Sequence, residues 1–403
     1  MPPALPERPA PKYSRDTNLT GDWGSLRNTL SEKGIEFELG YAMEFMANPV
    51  GGKSQGATYV HNVLMGMDLD LEKLVNLPNS AFRVRGSQRS GSSLSRQDID
   101  NDFSVQQLYG GGQNWRLVEL EMMHDLFNGH LNLAYGRLSA TDDFLTSPLY
   151  CQFVSNAICG QPPSPFFNMP TGITAYPLAV WGGRARVEPT SDTYVQVGVY
   201  DGDWRQDGKN QNGTNFTLGD NGVLVLSEAG YKPEQGLLDL PAAYKIGGYY
   251  HTGDFDDVNG SRSRTDNSGV YTLVDQMLYR ERPEDSQGLY GFLVFVAATE
   301  EDRNTFPYFA SGGLIYEGLF DARPKDKAAF AVASGFYSSD LRDAQRDAGL
   351  PRQYAETILE ANYQVQFTQY FYVRPDIQYV INPKGYDSVD NAFVIGFETG
   401  INF

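Results

Sequence analysis

Polar and apolar residues alternate along most of this chain. At its end, AFVIGFETGINF sets Phe393, Ile395, Phe397, Thr399, Ile401 and Phe403 on one face, with Gly396, Glu398, Gly400 and Asn402 on the other. That is a strand with one greasy and one wet side. ETILEANYQVQF likewise opposes Glu356, Ile358, Glu360, Asn362, Gln364 and Gln366 to Thr357, Leu359, Ala361, Tyr363, Val365 and Phe367. In FYVRPDIQYV, Arg374, Asp376 and Gln378 oppose Val373, Pro375, Ile377 and Tyr379. Inside a packed core each of these amides and charges would need its own partner, whereas a water-filled lumen would satisfy them all.

Segments of this kind, roughly ten residues long, suit tilted strands crossing a membrane. The pattern predicts sixteen: 35–46, 60–72, 80–90, 114–125, 129–139, 178–188, 192–201, 222–232, 242–252, 269–282, 287–299, 307–320, 327–337, 354–368, 371–382 and 390–403. Their connections alternate in length. One set is mostly long (47–59, 91–113, 140–177, 202–221, 253–268, 338–353), with shorter members at 300–306 and 383–389. The other holds tight turns such as FNG, PTSD, PEDS and FTQ, with EKLVNLPNS the longest. Long loops at one end and short turns at the other are the signature of an outer-membrane barrel, and a soluble sandwich has no reason to sort its loops so. The final strand is expected to close onto the first, GIEFELGYAMEF, with FYVRPDIQYVIN on its other side.

The expected fold class is all-β: a transmembrane antiparallel β-barrel over 35–403, preceded by a periplasmic arm and short helix over 1–34. Residues 1–18 are Pro-rich and charged, an extended or disordered arm. In NLTGDWGSLRNTLSEKGI, Thr20 or Asp22 is positioned to cap a helix carrying Leu26 and Leu30 on one face and stopped by Gly34. Such a helix would sit as a lid or plug at the lower mouth.

Composition removes alternatives. No run of about eighteen apolar residues occurs, so the chain is not a helical membrane protein. A mean hydropathy of -0.41 hides the lipid-facing half of alternating strands. The 25 Tyr, 23 Phe and 42 Gly suit aromatic girdles and turns rather than helices. A formal charge of -18 excludes nucleic acid as partner, because a phosphate backbone needs a basic surface. The acidic residues keep loops soluble; a sharper reading has them bind divalent cations between anionic headgroups. The two cysteines, Cys151 and Cys159, lie in a turn-rich segment and read as a loop disulfide formed in an oxidising compartment, with a metal site the weaker reading. MPPALPERPAPKYS lacks the apolar core of a signal peptide, so an exported form would have lost its signal already.

The candidate chemistry is an arginine cluster facing carboxylates. In AFRVRGSQR, Arg83, Arg85 and Arg89 share parity with Ser87; in GGRARVEP, Arg184 and Arg186 share parity with Glu188. The same counting puts Glu119 and Glu121 toward the lumen. Strict counting would turn Arg137 outward, so a bulge at Gly136 is expected to re-aim it. Trp181 and Trp115 offer flat faces for a sugar ring. The long loop 140–177 is expected to fold into the pore as a constriction, restrained by its cysteines and prolines and tied to the arginines through Asp142 and Asp143. These charges could equally serve only to stabilise the wall. GGGQ at 110–113 reads as loop punctuation. His61, His124, His130 and His251 fall in no catalytic motif, although a Ser–His or Asp–His pair could still meet in space. No cofactor or metal is expected.

Several of these segments together resemble one family. LTGDWGSLR, the GR…DDF run from Gly136 to Phe144, YKIGGYYHTGDFDD, LVDQMLYRERPEDSQGL, EEDRN and RPDIQYVINPKGYDSVDNAFVIGF are similar to the carbohydrate-selective porins of the OprB family of Gram-negative outer membranes. The resemblance implies a sixteen-stranded barrel, a narrow arginine-lined eyelet admitting glucose-like sugars by diffusion, and a monomer. It also implies surrounding lipid and lipopolysaccharide, and a terminal Phe403 read by barrel-assembly machinery. Two further porin and enzyme readings stand beside it: a pore selecting small anionic hydroxy-acids, and a barrel-embedded hydrolase. A soluble sugar-binding β-protein is the third class.

Overall fold

Sixteen antiparallel strands close on themselves in chain order. In the computed structural model, which describes residues 12–203, 212–260, 262–283 and 286–403, they are β1 (Ile35–Val50), β2 (Ala57–Asp70), β3 (Ser80–Gly91), β4 (Trp115–Leu126), β5 (Leu131–Leu138), β6 (Val180–Thr190), β7 (Thr193–Asp201) and β8 (Val223–Tyr231). There follow β9 (Ala242–Asp256), β10 (Ser263–Arg280), β11 (Gly288–Ala297), β12 (Tyr308–Glu317), β13 (Lys327–Phe336), β14 (Ala355–Thr368), β15 (Phe371–Ile381) and β16 (Ala392–Asn402). Short helices are α1 (Leu26–Glu32), α2 (Leu71–Val75), α3 (Ser164–Asn168) and α4 (Ser339–Asp347). Residues 1–11 of the expected arm and the middle of the loop at 202–221 lie outside the described residues, while 12–18 form turns rather than an extended arm and bury Tyr13.

Closure is achieved where β16 pairs with β1, from Gly40↔Asn402 to Val50↔Phe393, while its other edge pairs with β15. No strand edge is left to face lipid, which is the condition for sheet to cross a bilayer. Alternation then sorts the two faces. Leu39, Phe45, Ile246, Val270, Leu293 and Ile395 form part of an exposed outer belt, whereas Glu44, Glu228, Glu360 and Glu398 are buried inside.

Two expectations about register are corrected. The pairing of β5 with β4 and β6 runs unbroken through Glu121↔Gly136↔Gly182, so no bulge sits at Gly136. Gly136 instead adopts φ +134°, and a Cβ there would lie 2.2 Å from the Leu120 carbonyl oxygen, so only glycine fits. The bulge is in β4. Arg85 pairs with Glu119 but Gly86 with Leu117, leaving Val118 as the extra residue. Beyond it parity inverts. Arg116 lies opposite Ser87 and is buried, while Trp115 is 56% exposed on the outer face and offers no surface to the lumen.

The N-terminal helix also differs from expectation. Asp22 does help start α1, its carboxylate accepting from Asn28 N at 2.7 Å, and Gly34 ends it at φ +91°. Its buried residue, however, is Arg27 rather than a leucine: Leu26 is 53% exposed. Arg27 Nη1 donates to the Phe403 carbonyl oxygen (2.7 Å) and Nη2 to the Phe37 carbonyl oxygen (2.9 Å). The helix therefore docks under the β1–β16 seam, not across the mouth as a plug.

Candidate functional site

The interior is filled unevenly. Two connections at the long-loop end, 92–114 between β3 and β4 and 139–179 between β5 and β6, turn inward and pack against the far wall. Phe103 meets Phe306 (4.9 Å between centroids), Phe309 and Phe167, and Phe153 meets Phe292 at 5.8 Å. Cys151 and Cys159 form a disulfide within the second of these loops.

The polar faces of β14 and β15 do not simply meet water, as alternation alone suggested. Their side chains hold the inward loops by main-chain groups. Glu356 accepts from the backbone N–H of Asp102 (2.9 Å), Phe103 (2.7 Å) and Lys384 (2.6 Å). Glu360 accepts from Val154 N (2.6 Å) and Ser155 N (2.9 Å), and Gln378 Nε2 donates to Val105 O. From other strands, Glu44 accepts from Leu108 N, and Lys245 Nζ donates to Thr146 O at 2.6 Å. Asn267 Nδ2 donates to the Asn168 carbonyl in α3. These buried carboxylates are tolerated because each accepts from main-chain N–H donors.

Against this packed side stands the wall of β1 to β6, where the arginines retain partial exposure. Arg83 pairs with Asp68 at 2.8 Å and Glu121 at 3.7 Å; Arg85 pairs with Glu38 at 2.9 Å and Glu119 at 3.3 Å. Arg184 reaches Asp143 at 3.0 Å and also bonds Asn132. Arg186 binds Glu188 at 2.7 Å and lies 3.9 Å over the Tyr194 ring. The rows of Arg83, Arg85, Glu119 and Glu121 anticipated from parity thus come together, and Asp143 does fasten the root of the inward loop to Arg184. Asp142 touches lumen solvent but is enclosed by the barrel, and that desolvation raises its pKa well above the ordinary carboxylate range. Repulsion from Glu119 and Asp143 adds to the rise, while Arg85 opposes it.

Other candidates are placed elsewhere. Arg89 lies near the long-loop end, 5.2 Å over the Tyr176 ring and close to Glu44. Its Nη1 donates to the Gly110 carbonyl oxygen at 3.5 Å. Arg137 is fully enclosed and is not on the pore surface. Trp181 has the opposite parity to Arg184; its Nε1 donates to the Phe216 carbonyl and its ring packs on Phe216, so the structure does not bring it to the arginine rows. Arg116, unremarked in the sequence because the Val118 bulge reverses its parity, belongs to the lumen set, with Nε donating to Gly111 O at 3.0 Å. Asp68 and Glu38 were also missed, although their even spacing along polar faces carried the signal.

Above the rows, a cavity of about 1010 Å³ opens between the inward loops, lined by Arg89, Arg96, Arg116 and Lys384 with Asp100 and Asp102. Gly111 lets these loops meet, since a Cβ there would lie 2.4 Å from Pro177 Cγ. The four histidines bond main-chain groups or neutral side chains. His251 bonds Gly202 O and Gly253 N, and His124 sits between Ser80 Oγ (2.8 Å) and Tyr135 OH (3.1 Å) with no carboxylate to orient it as a base among the described residues.

The arrangement is a closed barrel with two loops folded into its interior and arginine–carboxylate pairs along the opposite wall. Residues 54–403 match the model of the family described as carbohydrate-selective porin, OprB family. Porin B of Pseudomonas aeruginosa is 32% identical, the match covering 94% of this chain and 90% of that protein. The putative porin QuiX of Acinetobacter baylyi is 26% identical over 97% and 94%. Among solved structures, the high-pH form of Pseudomonas putida OprB superposes with a TM-score of 0.90 at 29% identity, covering 98% of this chain and all of that one. Salmonella typhi OmpF, at 10% identity and a TM-score of 0.55, shares the fold. With barrel and relatives in agreement along nearly the whole length, the chain belongs to the OprB family of carbohydrate-selective porins, channels of the Gram-negative outer membrane.

Proposed function

We propose that this porin passes monosaccharides by passive, selective diffusion along the rows formed by Arg83, Arg85, Arg184 and Arg186 with their carboxylates. The observation that carries the reading is the doubly paired state of Arg83 and Arg85, each shared between two carboxylates on a wall that stays open to solvent. Fixed donors and acceptors of both signs suit a neutral polyhydroxylated solute, which can exchange water for wall contacts without desolvating an ion, and the excess of carboxylates over arginines disfavours anions. Liposome swelling with glucose, disaccharides, amino acids and small carboxylates tests it. Glucose should enter faster than other solutes of its size, and equal rates at equal size would refute selectivity.

A second reading is favoured by the cavity at the long-loop end. Arg89, Arg96, Arg116 and Lys384 outnumber Asp100 and Asp102 there, which suits small anionic hydroxy-acids. Reversal potentials in salts with one large ion separate the two, because strong anion preference supports the acids. In this reading of the whole chain the long loops face lipopolysaccharide outside, the short turns face the periplasm, and Phe403 serves the assembly machinery.

A further inference from the structure

The short-turn end of the barrel exposes apolar side chains at its tips. Val75 in α2, Phe127 between β4 and β5, Leu237 between β8 and β9, Phe320 between β12 and β13 and Phe367 at the end of β14 are each more than half exposed. Side chains so placed belong at the boundary of headgroups and acyl chains. At one point on that rim there is no turn to supply one, because β16 and β1 are joined by pairing alone.

α1 occupies that point, and its orientation is the reverse of a helix resting on protein in water. Its cation faces the barrel: Arg27 is buried, bonded to the carbonyls of Phe403 and Phe37, and stacked 4.0 Å over the Tyr13 ring. Asn28 is also turned inward, exchanging hydrogen bonds with Tyr13. The apolar side chains at the start of α1 and in the segment before it face out. Leu19, Trp23 and Leu26 are 44%, 45% and 53% exposed. The Trp23 ring packs on Phe37 at 5.9 Å, and Phe37 shares the outer face of β1 with Leu39 and Phe45, so this patch continues the lipid-facing belt. Trp23 Nε1 is satisfied by Thr20 Oγ1 at 3.0 Å, leaving an amphipathic ring free to lie in an interface.

We infer that α1 and the segment before it form an interfacial anchor: Leu19, Trp23 and Leu26 seat in the phospholipid headgroup boundary at the short-turn end and complete the apolar rim across the β1–β16 seam. Arg27 sets the depth of the anchor by fixing it to the Phe37 carbonyl in β1 and the Phe403 carbonyl just past β16. This assignment depends on the membrane location of the barrel and is independent of which solute it carries.

The test is fluorescence of Trp23 in the full chain with Trp115→Phe, Trp181→Phe and Trp204→Phe, reconstituted in phosphatidylcholine vesicles brominated at shallow or at deep acyl positions, with iodide on both sides. The anchor predicts blue-shifted emission, strongest quenching by shallow bromines and little by iodide. Efficient iodide quenching with no effect of either brominated lipid would overturn it, as would quenching by deep bromines alone. Quenching lost on forming detergent-stable oligomers would assign the patch to a second copy instead and overturn it too. In that background Arg27→Ala should move Trp23 toward iodide; an unchanged profile would refute the role given to Arg27. Should the triple replacement not fold, the difference between the native chain and Trp23→Phe reads the same ring.

Discussion

Glu360→Ala removes one of the hooks that hold the inward loop between β5 and β6. The carboxylate is 1% exposed and accepts from Val154 N and Ser155 N at 2.6 and 2.9 Å. Hydrogen bonds to a charged group contribute about 1.5–3 kcal/mol each, so the pair is worth about 3–6 kcal/mol. Water entering the space left by the side chain recovers part of this, which argues for the lower end, about 3 kcal/mol. At about 1.4 kcal/mol per factor of ten, the population of a displaced loop rises roughly a hundredfold. The barrel itself is unaffected, since its strands are tied by backbone pairing on both sides. Single-channel recording should therefore show larger and noisier conductance, while the heat-dependent shift in gel mobility that marks a folded barrel stays where it was. An unaltered conductance trace would refute the claim that wall carboxylates position the constriction. Loss of the folded band would refute the separation of loop from barrel.

Further predictions concern the passage and the seam. Arg83→Ala with Arg85→Ala should weaken discrimination among sugars in liposome swelling without unfolding the chain, because partly exposed ion pairs contribute only about 0–1 kcal/mol each; unchanged sugar flux would place the constriction elsewhere. Asp142 binds its proton more tightly in the folded protein than in the unfolded one, so acidification favours its seating from the raised pKa down to the ordinary carboxylate range, and the penalty on the charged form returns as pH rises. Its protonation removes a negative charge beside Glu119, Asp143 and Arg85, so cation preference in reversal potentials should fall with pH, and Asp142→Asn should flatten that dependence. Deleting Phe403 should lower the yield of folded barrel, measured by gel mobility, while inserted molecules keep their selectivity; full assembly without it would contradict the role assigned to the end of β16.

The sixteen strands were legible because lipid and lumen impose opposite demands on successive residues, and a period of two records that directly. Arg83, Arg85, Glu119 and Glu121 followed from the same counting. A single extra residue such as Val118 leaves no trace in composition, yet it inverts the parity of Arg116 and Trp115, which is why one was missed and the other misassigned. Gly136 was noticed but misread, since a glycine in a strand signals an unusual backbone without saying whether it is a bulge or a positive φ. The partners of Glu356 and Glu360 were out of reach for another reason. Those in the inward loops are backbone N–H groups some 200 or more residues away in sequence, about which side-chain patterns carry no information.

Those partners have one more implication. Wall side chains grip the inward loops at Asp102, Phe103, Leu108, Val154 and Ser155 through N–H groups that any residue but proline supplies. The inward loop's position is thus set in part through its main chain, with a few side-chain anchors such as Phe103, Phe153 and Asp143 sharing the task. Residues at its inner surface can be exchanged to suit a different solute while the aperture stays where the barrel put it, so breadth of diet and constancy of architecture are separable within one chain.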